Sequence, residues 1–177
     1  LDIGCGAGSH SLYLQKKGII VSCMDQSQGA ITVCKSRGIK NASQGTLFDF
    51  DQGRFDTLLL LMNGIGISGR LKHIGMFLNK LKSLLNERGQ ILLDSSDILY
   101  MFEGDEDDGY WIPEDVAYYG EVSFTMKYKN QKSEKFPWLY LDFNTLQRAA
   151  TFNGLTCELL FEGDHFDYLA RLSLKTY

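Results

Sequence analysis

The stretch LDIGCGAGSH, residues 1–10, constrains the fold more than any other part of this sequence. Leu1 and Ile3 predict the end of a buried strand, and the residues after the glycines predict the start of a helix. Glycines alternate at positions 4, 6 and 8, where a turn this tight needs backbone angles that a Cβ obstructs. The amides and dipole of the following helix favour an anionic group. The stretch therefore predicts the nucleotide-binding end of an open α/β sheet.

The spacing of the glycines narrows this prediction. The dinucleotide fingerprint is G-x-G-x-x-G, whereas this chain has G-C-G-A-G and no glycine at position 9. With Asp2 ahead of the glycines, the turn resembles the first motif of the class I S-adenosylmethionine-dependent methyltransferases, (D/E)-x-G-x-G-x-G. An ordinary strand-to-helix turn without a ligand is the alternative. Asp25, which follows a second predicted strand, favours the resemblance.

The resemblance implies S-adenosyl-L-methionine as cofactor and S-adenosyl-L-homocysteine as product. In that family an acid at the place of Asp25 accepts hydrogen bonds from both ribose hydroxyls, although Asp25 also fits a plain turn or helix cap. His10 is expected near the cofactor's carboxylate or, equally, at the start of a helix. The cofactor-binding residues expected on this basis are Asp2, Gly4, Cys5, Gly6, Gly8, His10, Asp25, Gln26, Thr46, Leu47, Asn63 and Gly64.

Thr46 departs from the family pattern, and Asn63 and Asp97 each have an alternative role that involves no ligand. Thr46 stands where family members often have an acid for the adenine amino group, so Asp49 or a backbone amide is the alternative there. Asn63 follows the fourth strand, near the expected reaction centre, but Asn-Gly also forms a turn without any function. Asp97 is either a substrate ligand or a helix cap. The expected substrate contacts are Asn63, Asp94, Asp97, Tyr110 and Trp111.

The alternation of predicted strands and helices indicates the α/β class. The resemblance implies a Rossmann-like class I methyltransferase fold, with a mostly parallel seven-stranded sheet, an antiparallel last strand, helices on both faces and a β-hairpin insertion after strand five. Predicted strands cover 19–24, 55–61, 90–94, 155–162 and 168–174, residues 41–50 are expected to carry the third strand and its loop, and predicted helices cover 9–17, 27–37 and 71–86. A capping box of Asn144 and Gln147 predicts a further helix with Phe152 on its buried face.

Composition bounds the domain organisation and the partners. With 177 residues, 44% of them hydrophobic, the chain is expected to form one methyltransferase domain over residues 1–177. Residues 98–141 are expected to be an insertion that helps to cover the substrate, and they include an acidic run at 103–108. The net charge of −4 and the lack of a basic run argue against a nucleic-acid partner and favour a small-molecule substrate. The sequence leaves the oligomeric state open.

The four cysteines have neither C-x-x-C spacing nor a histidine cluster beside them, so no metal site is expected. Free thiols of this kind fit a reduced, cytoplasmic compartment. No apolar run approaches the length of a membrane span. The chain starts inside its first strand, and we expect an additional N-terminal segment that covers the cofactor in related enzymes.

The phrases L-M-N-G-I-G and L-L-D-S-S-D resemble a bacterial subgroup of these methyltransferases whose substrates are unnamed. The expected activity is direct displacement of a methyl group to a small acceptor, with no residue assigned as a general base. The alternatives are a non-catalytic module that binds S-adenosylmethionine or a partner on the same fold, and a nicotinamide-dependent oxidoreductase.

Overall fold

A computed structural model describes residues 1–102, 110–113 and 116–175. The acidic run at 103–108 lies outside these ranges. The helices are α1 (Ser9–Lys16), α2 (Gln28–Ser36), α3 (Ile74–Ser83) and α4 (Phe143–Phe152), with 3₁₀ turns at Gly64–Ser68, Leu71–His73 and Leu99–Phe102. The strands are β1 (Asp2–Ile3), β2 (Ser22–Asp25), β3 (Asn41–Gln44), β4 (Phe55–Leu60), β5 (Leu85–Ser96), β6 (Glu121–Phe124), β7 (Lys127–Tyr128), β8 (Gln131–Lys132), β9 (Phe136–Leu139), β10 (Leu155–Glu162) and β11 (Asp167–Leu174).

Seven strands form one sheet in the order β10-β11-β5-β4-β1-β2-β3. The five strands from β5 to β3 are parallel, whereas β11 runs antiparallel to both β5 and β10. The predicted antiparallel last strand is therefore confirmed. Since the carboxyl ends of the parallel strands share one edge, the loops after them converge there.

The sheet carries helices on both faces, as predicted. Successive residues of a strand point to opposite faces, and Cys23 and Met24 of β2 accordingly join two separate buried clusters. The larger cluster lies under α3 and α4 and contains Phe77 and Leu146, both fully buried. The smaller cluster contains Cys34 of α2.

The insertion after β5 contains the expected hairpin. β6 pairs antiparallel with β9, and the shorter β7 and β8 pair beyond them. The final hairpin of β10 and β11 also has the predicted bounds to within one residue.

Two predicted boundaries were wrong because strand pairing overrides local pattern. Ile19 and Ile20 were assigned to the second strand, yet they are exposed and β2 begins at Ser22, where pairing with β3 starts. Leu84 and Leu85 fit the apolar stripe of the third helix, but α3 ends at Ser83 and Leu85 instead pairs with Phe55 of β4.

The predicted start of the last long helix was also wrong. Asp142, not Asn144, caps α4, because its Oδ1 accepts a hydrogen bond of 2.9 Å from the amide of Thr145. Its Oδ2 accepts a second bond, of 2.7 Å, from Tyr118 Oη. Although burial acts to raise it, the pKa of Asp142 is lowered by these hydrogen bonds. Phe152, expected on the buried face, is exposed.

Asp142→Ala should therefore destabilise the chain, whereas Asn144→Ala should not. Loss of the cap and of the Tyr118 bond is expected to cost about 1–2 kcal/mol in the free energy of unfolding. The exposed Asn144 serves as the matched control, with a change of less than about 0.5 kcal/mol. Urea unfolding at neutral pH measures both values. Because the folded-state pKa of Asp142 is lowered, its contribution should be lost as the pH falls below about 3.9.

Candidate functional site

The glycine turn between β1 and α1 has the left-handed backbone geometry that the sequence predicts. Its three glycines all have left-handed backbone: Gly4, Gly6 and Gly8, with φ of 71°, 53° and 74°. The amides of Gly4 and Cys5 both donate to the carbonyl of Met24, at 2.9 and 3.0 Å. A Cβ at Gly4 would lie 2.9 Å from Ile67 Cδ1, while one at Gly6 would meet no atom within 4 Å. The backbone at Gly6 is thus bare toward open space.

Asp25 ends β2 directly beside this turn. Its Oδ2 accepts a hydrogen bond of 2.9 Å from the amide of Gly6, and its Oδ1 accepts one of 2.8 Å from the amide of Ser27. The carboxylate therefore joins the glycine turn to the start of α2. Asp25 thus stabilises the turn and the start of the helix, and it also lines a cleft at this edge of the sheet.

A cleft of about 560 Å³ lies at the carboxyl ends of the parallel strands. It begins at the glycine turn and runs over the loops that follow β2, β3 and β4 to the hairpin strand β9. The predicted cofactor-binding residues that line it are Gly4, Asp25, Gln26, Thr46, Leu47 and Gly64.

The other predicted cofactor residues lie around the cleft without lining it. Asp2 is buried and accepts a hydrogen bond of 2.6 Å from Ser11 Oγ, which ties β1 to α1. Gly8 begins α1, and His10 is exposed on its first turn. Cys5 turns away from the cleft, toward Cys34.

Asp94 of β5 holds the loop that follows β4. In that loop Met62 and Asn63 have left-handed backbone, with φ of 65° and 58°. The Asp94 carboxylate accepts hydrogen bonds from the amides of Met62, Asn63 and Gly64, at 3.0, 2.7 and 3.3 Å. Three donors around one carboxylate stabilise a backbone conformation that residues other than glycine rarely adopt.

The side chain of Asn63 is also held by the protein. Its Nδ2 donates to the carbonyl of Leu139 at 3.2 Å, and its Oδ1 accepts from Ser95 Oγ at 2.8 Å. Ser95 Oγ in turn accepts from the amide of Leu141 at 3.0 Å. Asn63 thereby connects the exit of β4 to the segment after β9, and it does not line the cleft.

The remaining expected substrate contacts also lie outside the cleft lining. Asp97 Oδ1 accepts hydrogen bonds from the amide of Leu99 at 2.9 Å and from Tyr119 Oη at 2.8 Å, which matches its capping alternative. Burial raises the pKa of Tyr119 and keeps its phenol protonated as a donor. Tyr110 and Trp111 are exposed.

One wall of the cleft was not predicted from the sequence. This wall comes from the segment after β4 and from the hairpin, and it comprises Ile67, Ser68, Gly69, His73, Phe136, Pro137 and Trp138. Trp138 packs so closely on Gly66 that any Cβ there would collide with its indole ring. The glycines at 64, 66 and 69 were the available signal, because glycines at such short spacing permit close approach of another element.

The Ser68 hydroxyl is a buried polar group in this wall. Its side-chain oxygen is inaccessible, and within the described ranges of the chain it has no hydrogen-bond partner. Ser68 lines the cleft together with His73. Since an unpaired buried hydroxyl costs free energy, Ser68 is a locally unfavourable feature of this wall.

Comparison with known proteins identifies the family. The model of a family described as a methyltransferase domain matches residues 1–93. The solved structure of a SAM-dependent methyltransferase from Bacteroides fragilis, in complex with S-adenosyl-L-homocysteine, is 47% identical in sequence, with a TM-score of 0.91. The alignment covers 99% of this chain and 71% of that one. This chain belongs to the class I S-adenosylmethionine-dependent methyltransferases.

More distant methyltransferase structures share the fold. The CcbJ methyltransferase from Streptomyces caelestis has a TM-score of 0.71 at 11% identity, covering 99% of this chain and 82% of that one. DesVI from Streptomyces venezuelae has a TM-score of 0.66 at 18% identity, covering 98% and 82%. No curated protein matches the sequence. Within the described ranges, none of the helices has the length and apolar character needed to cross a membrane.

Asp94→Ala should weaken the loop after β4 in this methyltransferase. Loss of the acceptor for three loop amides, two of them at the left-handed residues Met62 and Asn63, is expected to lower the free energy of unfolding by roughly 1–3 kcal/mol. Asp94→Asn keeps one acceptor oxygen and should fall between the alanine variant and the unchanged chain. Urea unfolding of the three proteins measures the series, and an alanine variant as stable as the unchanged chain would contradict the assigned role.

Proposed function

We propose that this chain is an active methyltransferase that uses S-adenosyl-L-methionine to methylate a small molecule in the cytoplasm. The cofactor supplies a methyl group on a sulfonium that is already activated for direct displacement. The protein then has to bind and align the two reactants and exclude water. The relative from Bacteroides fragilis, at 47% identity, was solved with the product S-adenosyl-L-homocysteine, which supports this cofactor.

The Asp25 carboxylate beside the open glycine turn is the observation that carries the proposal. Two amides already bond to it, but a carboxylate has about four lone-pair sites and can accept further bonds. We propose that Asp25 binds the ribose hydroxyls, with Gln26 beside it. The bare backbone at Gly6 then leaves room for the amino-acid part of the cofactor.

We propose that the adenine base of the cofactor lies against the loop after β3. Gly45, Thr46, Leu47 and Phe48 all line the cleft there. The hydroxyl of Thr46 donates to Asp49 Oδ2, so this side chain is oriented toward its own loop. An apolar wall of Leu47 and Phe48 suits a flat aromatic ring.

The wall formed by the hairpin is proposed to bind the acceptor. Ser68 and His73 are the polar groups in a wall otherwise built from Ile67, Phe136 and Trp138. A mostly apolar pocket with few polar groups is typical of small-molecule sites. Residues 98–141 would then act as the substrate cover through β9. Asn63 and Asp94 would act on the reaction by holding the loop that faces it.

Asp25→Ala should weaken the binding of S-adenosyl-L-homocysteine. Loss of charge-assisted hydrogen bonds is expected to cost about 1–3 kcal/mol, roughly 5- to 150-fold in Kd. Asp51→Ala, at an exposed position outside the cleft, is the control and should bind like the unchanged chain. Titration calorimetry measures all three proteins. Equal affinity of the Asp25 variant would remove this residue from the cofactor site.

Turnover distinguishes the enzyme from a binding module on the same fold. We expect S-adenosyl-L-homocysteine to be released when S-adenosyl-L-methionine is incubated with the chain and a panel of small amines, alcohols and thiols. His73→Ala should raise the KM of an accepted substrate without abolishing cofactor binding, because His73 is a half-buried polar residue of the proposed acceptor wall. Tight cofactor binding with no turnover across the panel would favour the non-catalytic alternative.

A further inference from the structure

Three cysteines from different elements meet beneath the glycine turn. Cys5 belongs to the turn, Cys23 to β2 and Cys34 to α2. Their sulfur atoms all lie within 4.8 Å of one another, and Cys5 Sγ and Cys34 Sγ are 3.9 Å apart. The sequence predicted no metal site because these residues are far apart in the chain, but the parallel pairing of β1 and β2 brings them together.

We propose that these three thiols bind a single soft, thiophilic cation, and that Cu(I) is the ion that fits them. Metal–thiolate bonds are about 2.3 Å long, so three sulfurs in a plane around one ion lie roughly 4.0 Å apart. The Cys5–Cys34 separation of 3.9 Å already matches that value. Soft thiolate ligands suit Cu(I), zinc and iron–sulfur clusters, so the number of ligands has to decide among them.

The ligand number favours a three-coordinate ion over zinc. Structural zinc sites are almost always tetrahedral, with four protein ligands. In the ranges that the structure describes, the group of possible ligands at this place consists of the three sulfurs. The nearby Asp2 carboxylate is already engaged by Ser11 Oγ.

The surroundings suit a buried cation with an entry path. Cys23 and Cys34 are fully buried, together with Ile39, whereas Cys5 is only half-buried and reaches the surface at the turn. The apolar neighbours keep water from the ion. A Cβ at Gly8, the residue that begins α1, would lie 2.8 Å from Cys34 Sγ, so the positive end of that helix is close to the thiolates.

Binding would also change the hydrogen bonds of the turn. The thiols of Cys34 and Cys5 both point to the carbonyl of Gly6, at 3.2 and 3.6 Å. When three S–Cu bonds form, three thiol protons pass to water and copper keeps its oxidation state. The Gly6 carbonyl then loses both donors while Cys5 becomes fixed to β2 and α2.

Anaerobic titration of the fully reduced protein with Cu(I), in competition with bathocuproine disulfonate, tests the site. We expect one ion per chain to be retained against the chelator. X-ray absorption on the unchanged protein should show three sulfur neighbours at about 2.3 Å. Coordination by two sulfurs, or by nitrogen and oxygen, would overturn the proposal without any variant.

Cys5→Ser tests the same proposal with little disturbance of the core, because Cys5 is the half-buried member of the three. Its affinity for Cu(I) should fall by more than roughly 100-fold, the upper end of what loss of an outer-shell partner costs. Cys157→Ser is the matched control, since Cys157 is also half-buried but lies on β10. Circular dichroism verifies that both variants fold. Unchanged affinity in Cys5→Ser, or an equal loss in Cys157→Ser, would refute the site.

Discussion

The hydrogen bond from the Gly6 amide to Asp25 holds the central part of this structure together. It fixes a turn of three left-handed glycines against the end of β2. The other oxygen of the same carboxylate accepts a hydrogen bond from the amide of Ser27, the residue that caps the start of α2. One side chain thus sets the positions of two strand ends and one helix start. The cleft at the carboxyl edge of the sheet depends on that arrangement, because both Gly4 and Asp25 line it.

A second set of polar groups holds the backbone around the other half of the cleft in place. Asp94 orders the loop after β4, and Asn63 with Ser95 connects this loop to the chain beyond β9. These residues have the chemistry of a catalytic cluster, yet their polar atoms bond to backbone amides and to one another. Their contribution is to hold Trp138 of the hairpin against Gly66, which gives the cleft its far wall.

The glycine turn, the alternation of strands and helices and the terminal hairpin could be predicted because each leaves a local pattern in the sequence, and the resemblance to the family supplied the arrangement of the sheet. The errors arose where a distant partner contributes: Leu85 pairs with β4 instead of extending a helix, and Asp142, which also bonds to Tyr118, caps α4 in place of Asn144. Ser68 and the three thiols left no local pattern. Only the packing of the hairpin and the pairing of β1 with β2 bring such residues to a site.

The glycine turn has two faces, and alternate residues serve each of them. Gly6 presents bare backbone to open space beside Asp25, whereas Cys5 and Gly8 pack toward Cys34 on the opposite side. Because the two faces share the backbone of one short turn, we expect a change on one face to shift the other. Gly6 connects the two faces directly, because its carbonyl accepts hydrogen bonds from the thiols while its amide donates one to Asp25. Any ion held by the three sulfurs would therefore act on the backbone that borders the proposed cofactor site.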